Sequence, residues 1–127
     1  MDAAELKQRT KKFAVRVFKM AEALPRSAAS QVIARQVLRS GSSVAANYRS
    51  AYRARSHAEF IARLGVAEDE ADETIFWLEM IIEAGLLPAA KLGNLMDEAR
   101  QLTAILVASR KTSKRRENRQ SAIGDRQ

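Results

Sequence analysis

Apolar residues in this chain recur at spacings of three, four and seven in four blocks, and three short breaks separate the blocks. That is the period of an α-helix, and no alternating strand pattern interrupts it. Leu6, Phe13, Val17, Met20, Ala21 and Leu24 predict a first helix over 3–23. Leu24-Pro25-Arg26-Ser27 ends it, because proline lacks an amide donor and restricts the residue before it. Ile33, Val37, Ser40, Val44, Tyr48 and Ala51 predict a second helix over 30–53, with Ser27 or Ser30 as its cap. Ser56 with Glu59 three residues on is a capping box. It opens a third helix whose stripe runs Phe60, Leu64, Ala67, Ala71, Ile75, Leu78, Ile82 and reaches Ala84, with Gly85 as a C-terminal cap. Pro88 suits the start of a fourth helix, and Leu92, Leu95, Met96, Ala99, Leu102 and Leu106 face inward until about Arg110. Short connections between such helices predict an all-α, antiparallel up-down-up-down four-helix bundle over 1–110. The remaining residues, 111–127, are basic, carry no stripe, and read as a tail disordered at least in its last part.

Composition removes several function classes. The 127 residues contain no cysteine, so a disulfide framework and a thiolate metal site are excluded. No run approaches 18 uncharged apolar residues, and the N-terminal MDAAELKQRTKKFAV lacks a signal-peptide core, so the expectation is a cytoplasmic protein without membrane contact. A single histidine, His57, has no carboxylate partner in view, and no oxyanion or cofactor motif is present. No catalytic residue, cofactor or metal is expected. Glu68 with Asp72 and Asp69 with Glu73 stand one turn apart, but a solvated or arginine-paired acidic face explains them without a cation.

Charge is where the chain becomes distinctive. Net charge is +7, yet Ser56 to Leu87 carries −7 and everything else +14. An imbalance of that kind bears on partners rather than on fold. Tyr48, Arg49, Tyr52, Arg53 and Arg55 combine guanidinium groups, which bind phosphate, with rings that can stack on bases. With Lys111, Lys114, Arg115 and Arg116 they are the candidate nucleic-acid-binding residues, for RNA or DNA. The competing reading pairs these arginines with Glu68, Asp72 and Glu79. Ile61, Phe76, Trp77 and Ile81 lie off the inward stripe of the third helix, which leaves two readings: a wide core, or a face that meets another copy.

The segments LRSGSSVAANYR, RARSHAEFIARL and EADETIFWLE, in that order, resemble the four-helix-bundle proteins associated with intervening sequences of bacterial 23S ribosomal RNA genes, over about Phe13 to Leu106. The resemblance extends distantly to accessory proteins of diversity-generating retroelements, which act with a reverse transcriptase and RNA. It implies the bundle and a ring-shaped homopentamer, and it tips the face of the third helix towards self-association through Ile61, Phe76, Trp77 and Ile81. The small residues Ser40 to Ser43 imply close helix approach, and Asn47 a polar contact that fixes register, against a backbone carbonyl or a side chain of another helix. Many members have an acidic residue and a glycine where Arg49 and Ser50 stand here, so no acid-dependent role transfers. Two function classes follow, a nucleic-acid-binding accessory module and a protein-interaction scaffold.

Overall fold

The computed structural model describes residues 1–125, and within them the secondary structure is entirely helical: α1 (Ala3–Glu22), α2 (Ala28–Tyr52), α3 (His57–Glu83) and α4 (Ala89–Asp125). Each of the first three starts on a side chain that accepts an otherwise orphaned amide. Asp2 accepts from the Glu5 N–H, Ser27 from Ser30 and Ser56 from Glu59. Ser27, rather than Ser30, is thus the cap of α2. The Glu59 carboxylate reaches back one residue further than a capping box requires, to the Arg55 amide at 3.4 Å. At the other end of α3, Gly85 takes φ +69°, the Leu86 N–H reaches the Ile81 carbonyl and the Gly85 N–H reaches that of Ile82. That is a Schellman closure, available because glycine tolerates the left-handed region.

The helices stand in a ring in chain order: α1 against α2, α2 against α3, α3 against α4, with a thinner seam returning α4 to α1 and, among the described residues, no close backbone approach across the diagonals. This is the up-down-up-down bundle. Phe13, Val17, Val37, Val44, Leu64, Leu78, Leu102 and Leu106 are fully enclosed at its centre. Two hydroxyls share that core. Thr74 of α3 lies 2.9 Å from Ser40 of α2 and 2.8 Å from the Glu70 carbonyl, so both buried groups find partners.

Two expectations change. Ile81 is core, at 0% exposure, because it follows Leu78 by three residues on the buried face of α3. The fourth helix continues past Arg110 to Asp125 instead of giving way to a tail there. Arg126 and Gln127, the last residues of that tail, lie outside the described residues. Ser113 carries the buried stripe of α4 two turns beyond Leu106, and its carbonyl accepts from His57 Nε2 at 2.9 Å. Lys, Arg, Gln and Ala beyond it are good helix formers, and no proline intervenes.

Small residues in α2 do permit a close approach, at one position. A Cβ on Gly41 would sit 2.9 Å from Val17 Cγ1 and 3.1 Å from Val17 Cβ on α1, whereas one on Gly93 would meet nothing. Gly41→Leu should therefore destabilise the bundle by about 1–3 kcal/mol through overpacking. Gly93→Ala should stabilise it by up to about 1 kcal/mol through helix propensity. Urea denaturation of the two variants against the parent reads both signs.

Candidate nucleic-acid interface

The arginine–tyrosine cluster of α2 is divided by the helix period. Tyr48 points into the core, and burial, with smaller contributions from Tyr52 and Asp2, pushes its hydroxyl above the ordinary tyrosine range. Tyr52 is half exposed, but the Lys7 ammonium sits 4.8 Å over its ring, a cation–π contact. Neither ring is a free stacking platform. Arg49, Arg53 and Arg55 are exposed and make no ion pair among the described residues. Arg49 shares a shallow cleft with Lys7 and Lys11, over Ala45 and Ala46.

The acidic block does engage arginines, but different ones. Arg39 of α2 bridges to Glu70 at 3.0 Å and to Glu73 of α3. Arg110 of α4 pairs with Glu68 at 2.5 Å. On the thin seam, Arg9 of α1 grips Glu98 of α4 with two nitrogens at 2.6 and 2.8 Å and adds Gln101 at 2.8 Å. All three arginines hold helices together, and spacing alone had not singled them out. Their one sequence signal is position, since each flanks an apolar stripe. Asn47 also differs from expectation: its amide donates to the Ser43 carbonyl and hydroxyl, both 2.9 Å away within α2, so it sets no register between helices.

Lys111, Lys114, Arg115 and Arg116 lie on the continuation of α4, all exposed and without an ion-pair partner among the described residues; Arg119 follows in the same state. Because the Ser113 carbonyl accepts from His57 at the first turn of α3, this stretch emerges beside the α2–α3 turn that carries Arg53 and Arg55. One end of the bundle thus gathers seven basic side chains. His57 is exposed and anchors α4 there.

The apolar face of α3 is smaller than the sequence suggested. Ile81 is buried, and Ile61 is half-buried two turns before Glu68, on the side turned to α4. Phe76 is 49% exposed, and its ring meets Trp77 edge-on at 4.8 Å. Trp77 is half-buried, and its Nε1–H donates to Glu73 at 3.2 Å. Val32 of α2, 55% exposed, stands two turns before Arg39 on the same side and extends the face. Val15 and Phe18 of α1 form a second exposed apolar strip beside a trough lined by Ala21, Ala34 and Leu38. A sequence reading that sought the stripe on each helix passed over Val32, Val15 and Phe18, although all three are apolar residues at positions facing away from it.

No helix is long and apolar enough to cross a membrane, and among the described residues no group of three or more acidic or histidine side chains is placed to hold a metal ion. The profile of a family described as 23S rRNA-intervening sequence protein matches residues 3–108. A crystal structure of a protein of unknown function from the S23 ribosomal protein family of Bacteroides thetaiotaomicron is 32% identical. It superposes with a TM-score of 0.81, covering 87% of this chain and 99% of that chain. No curated protein matches.

Glu73 supplies a pH test of the α2–α3 seam. Its hydrogen bond from Arg39, aided by that from Trp77, holds its carboxyl below the usual glutamate range. A depressed carboxylate stabilises the fold above the unfolded pKa and withdraws that contribution as pH falls through the folded value. The Trp77 indole N–H resonance should accordingly titrate below the normal glutamate range. In Arg39→Gln the midpoint should move up towards it, as followed by two-dimensional NMR.

Proposed function

The chain belongs to the 23S rRNA-intervening sequence protein family, and from that premise we propose that it is a non-enzymatic, self-associating helical module of the cytoplasm that binds nucleic acid through charge. The observation that carries this reading is the set of unpaired basic residues at one end of the bundle, Arg53 and Arg55 at the α2–α3 turn with Lys111, Lys114, Arg115, Arg116 and Arg119 on α4. On α3, Glu68, Glu70 and Glu73 are meanwhile paired with Arg110 and Arg39, and no carboxylate of that helix forms an ion pair with this basic set among the described residues. Phosphate contacts of this kind release condensed counterions, and assembly of several copies would multiply a modest affinity.

Self-association, as a pentamer, rests on the family resemblance and on the exposed Val32 and Phe76 beside the half-buried Trp77. The alternative is a scaffold whose surfaces serve only other proteins. A salt titration separates the two. The expected result is binding to RNA or DNA that weakens with a log–log slope of about −0.7 to −0.9 per phosphate contact. No binding to either at roughly 50 mM salt leaves the scaffold. Light scattering checks the second half. Trp77→Ala should lower the assembled mass without unfolding the chain. Leu102→Ala, at a fully buried position, should chiefly cost stability, by about 2–5 kcal/mol.

A further inference from the structure

Resting on the nucleic-acid reading above, we infer that the C-terminal extension of α4 is a duplex-binding element, which takes the phosphate backbone of double-stranded DNA in preference to single strands. The extension lies outside the family match, which ends at residue 108, so membership assigns it nothing. It begins where α4 leaves the core. Among the residues whose burial is described, Ser113 is the last that is buried, Arg116 still borders the cleft beside Met1 and Asp2, and residues 118–124 are all exposed.

Helical spacing sorts its charges. Lys111, Arg115 and Arg119 follow one another at intervals of four, so they stand on one face, about 6 Å apart along the axis. That face is turned away from Ser113, and Lys114 and Arg116 flank it. Glu117 is the one acidic residue between Lys111 and Arg119. The result is a helically ordered row of cations rather than an irregular basic string.

What the row lacks decides its partner. Proteins that hold single strands combine charge with aromatic rings on which bases stack. No aromatic residue occurs after Trp77 in the sequence. Elsewhere Tyr48 is buried, Tyr52 lies under Lys7, and Phe76 with Trp77 stands among Asp72, Glu73 and Glu79 on the acidic helix. Phe18 is exposed on α1 and Phe60 is half-buried beside His57, but the row on α4 carries no ring of its own, so only the backbone is left for it to grip. Backbone binding favours the higher charge density of a duplex. A single helix with its side chains, about 10–12 Å across, fits the roughly 12 Å major groove of B-form DNA, whereas the deep, narrow groove of A-form RNA excludes it. An anionic membrane suits the extension less, because interfacial helices need a continuous apolar face and this one offers only Ala122 and Ile123.

Fluorescence anisotropy of the full chain tests this, using duplex DNA of about 20 base pairs (roughly two helical turns), duplex RNA of that length, and one DNA strand alone. The expected order is duplex DNA tightest, by about tenfold or more over the single strand. The triple variant Lys111→Gln, Arg115→Gln, Arg119→Gln keeps helix propensity. It should weaken duplex binding at least tenfold and reduce the salt slope by about 1 for each contact removed. The double variant Arg26→Gln, Lys91→Gln, at exposed positions beside the α1–α2 and α3–α4 turns, should leave the preference for duplex intact. Equal or tighter binding of the single strand or of duplex RNA overturns the inference, as does a triple variant that binds like the parent; in each case the broader nucleic-acid reading stands. Absence of binding to all three probes at about 50 mM salt overturns both.

Discussion

A missing side chain at Gly41 governs how this bundle closes. Val17 of α1 occupies the space that a Cβ would fill, so the first two helices approach more closely than any larger residue would permit. The other face of the same stretch of α2 meets α3, with Ser40 and Thr74 joined in the core and Arg39 reaching Glu70 and Glu73 just outside it. One turn of α2 therefore sets two of the three extensive seams. A polar pair in an otherwise apolar core also disfavours sliding α3 along α2, since any shift would leave buried hydroxyls without partners.

Ion pairs here divide by what they join. Arg39, Arg110 and Arg9 each connect two helices, and each sits on the margin of a buried stripe, where its alkyl stem packs and its head stays partly wet. Such pairs add modestly to stability. Their larger effect is on charge: they take up Glu68, Glu70, Glu73 and Glu98, while the basic residues near the α2–α3 turn make no ion pair among the described residues. Neutralising one set of arginines is what lets a second set act outward.

The fold was legible because helix signals in this sequence are local and redundant. Asp or Ser at a cap, glycine at a left-handed turn and a stripe of period 3.6 each act within a few residues, and along α3, from its Ser56 cap to Gly85, all of them agree. The end of α4 was not legible, because Ser113 continues the buried stripe with a residue type that hydropathy counts as polar, and its support comes from His57, 56 positions earlier. The candidate site was legible only as composition. Which arginines are free depended on which carboxylates others had taken, and Tyr52, only about 40° around the helix from the buried Tyr48, is half exposed at the last residue of α2. Ile81 and Asn47 were misplaced for related reasons. An apolar residue off an assumed stripe was read as outward, and an amide was assigned a distant partner when its own helix offered one.

The continuation of α4 beyond the bundle has a thermodynamic consequence. An isolated helix of a dozen residues is marginal in water, chiefly because its first turn must be ordered before any hydrogen bond repays it. Here the turn that starts the process already exists, held by Leu102, Leu106 and Ser113 against the other helices. The exposed segment needs only to propagate, one residue and one hydrogen bond at a time, so it frays from Asp125 inward and does not melt as a unit. Its effective length becomes a graded property of temperature and ionic strength, while the bundle beneath it unfolds cooperatively or not at all.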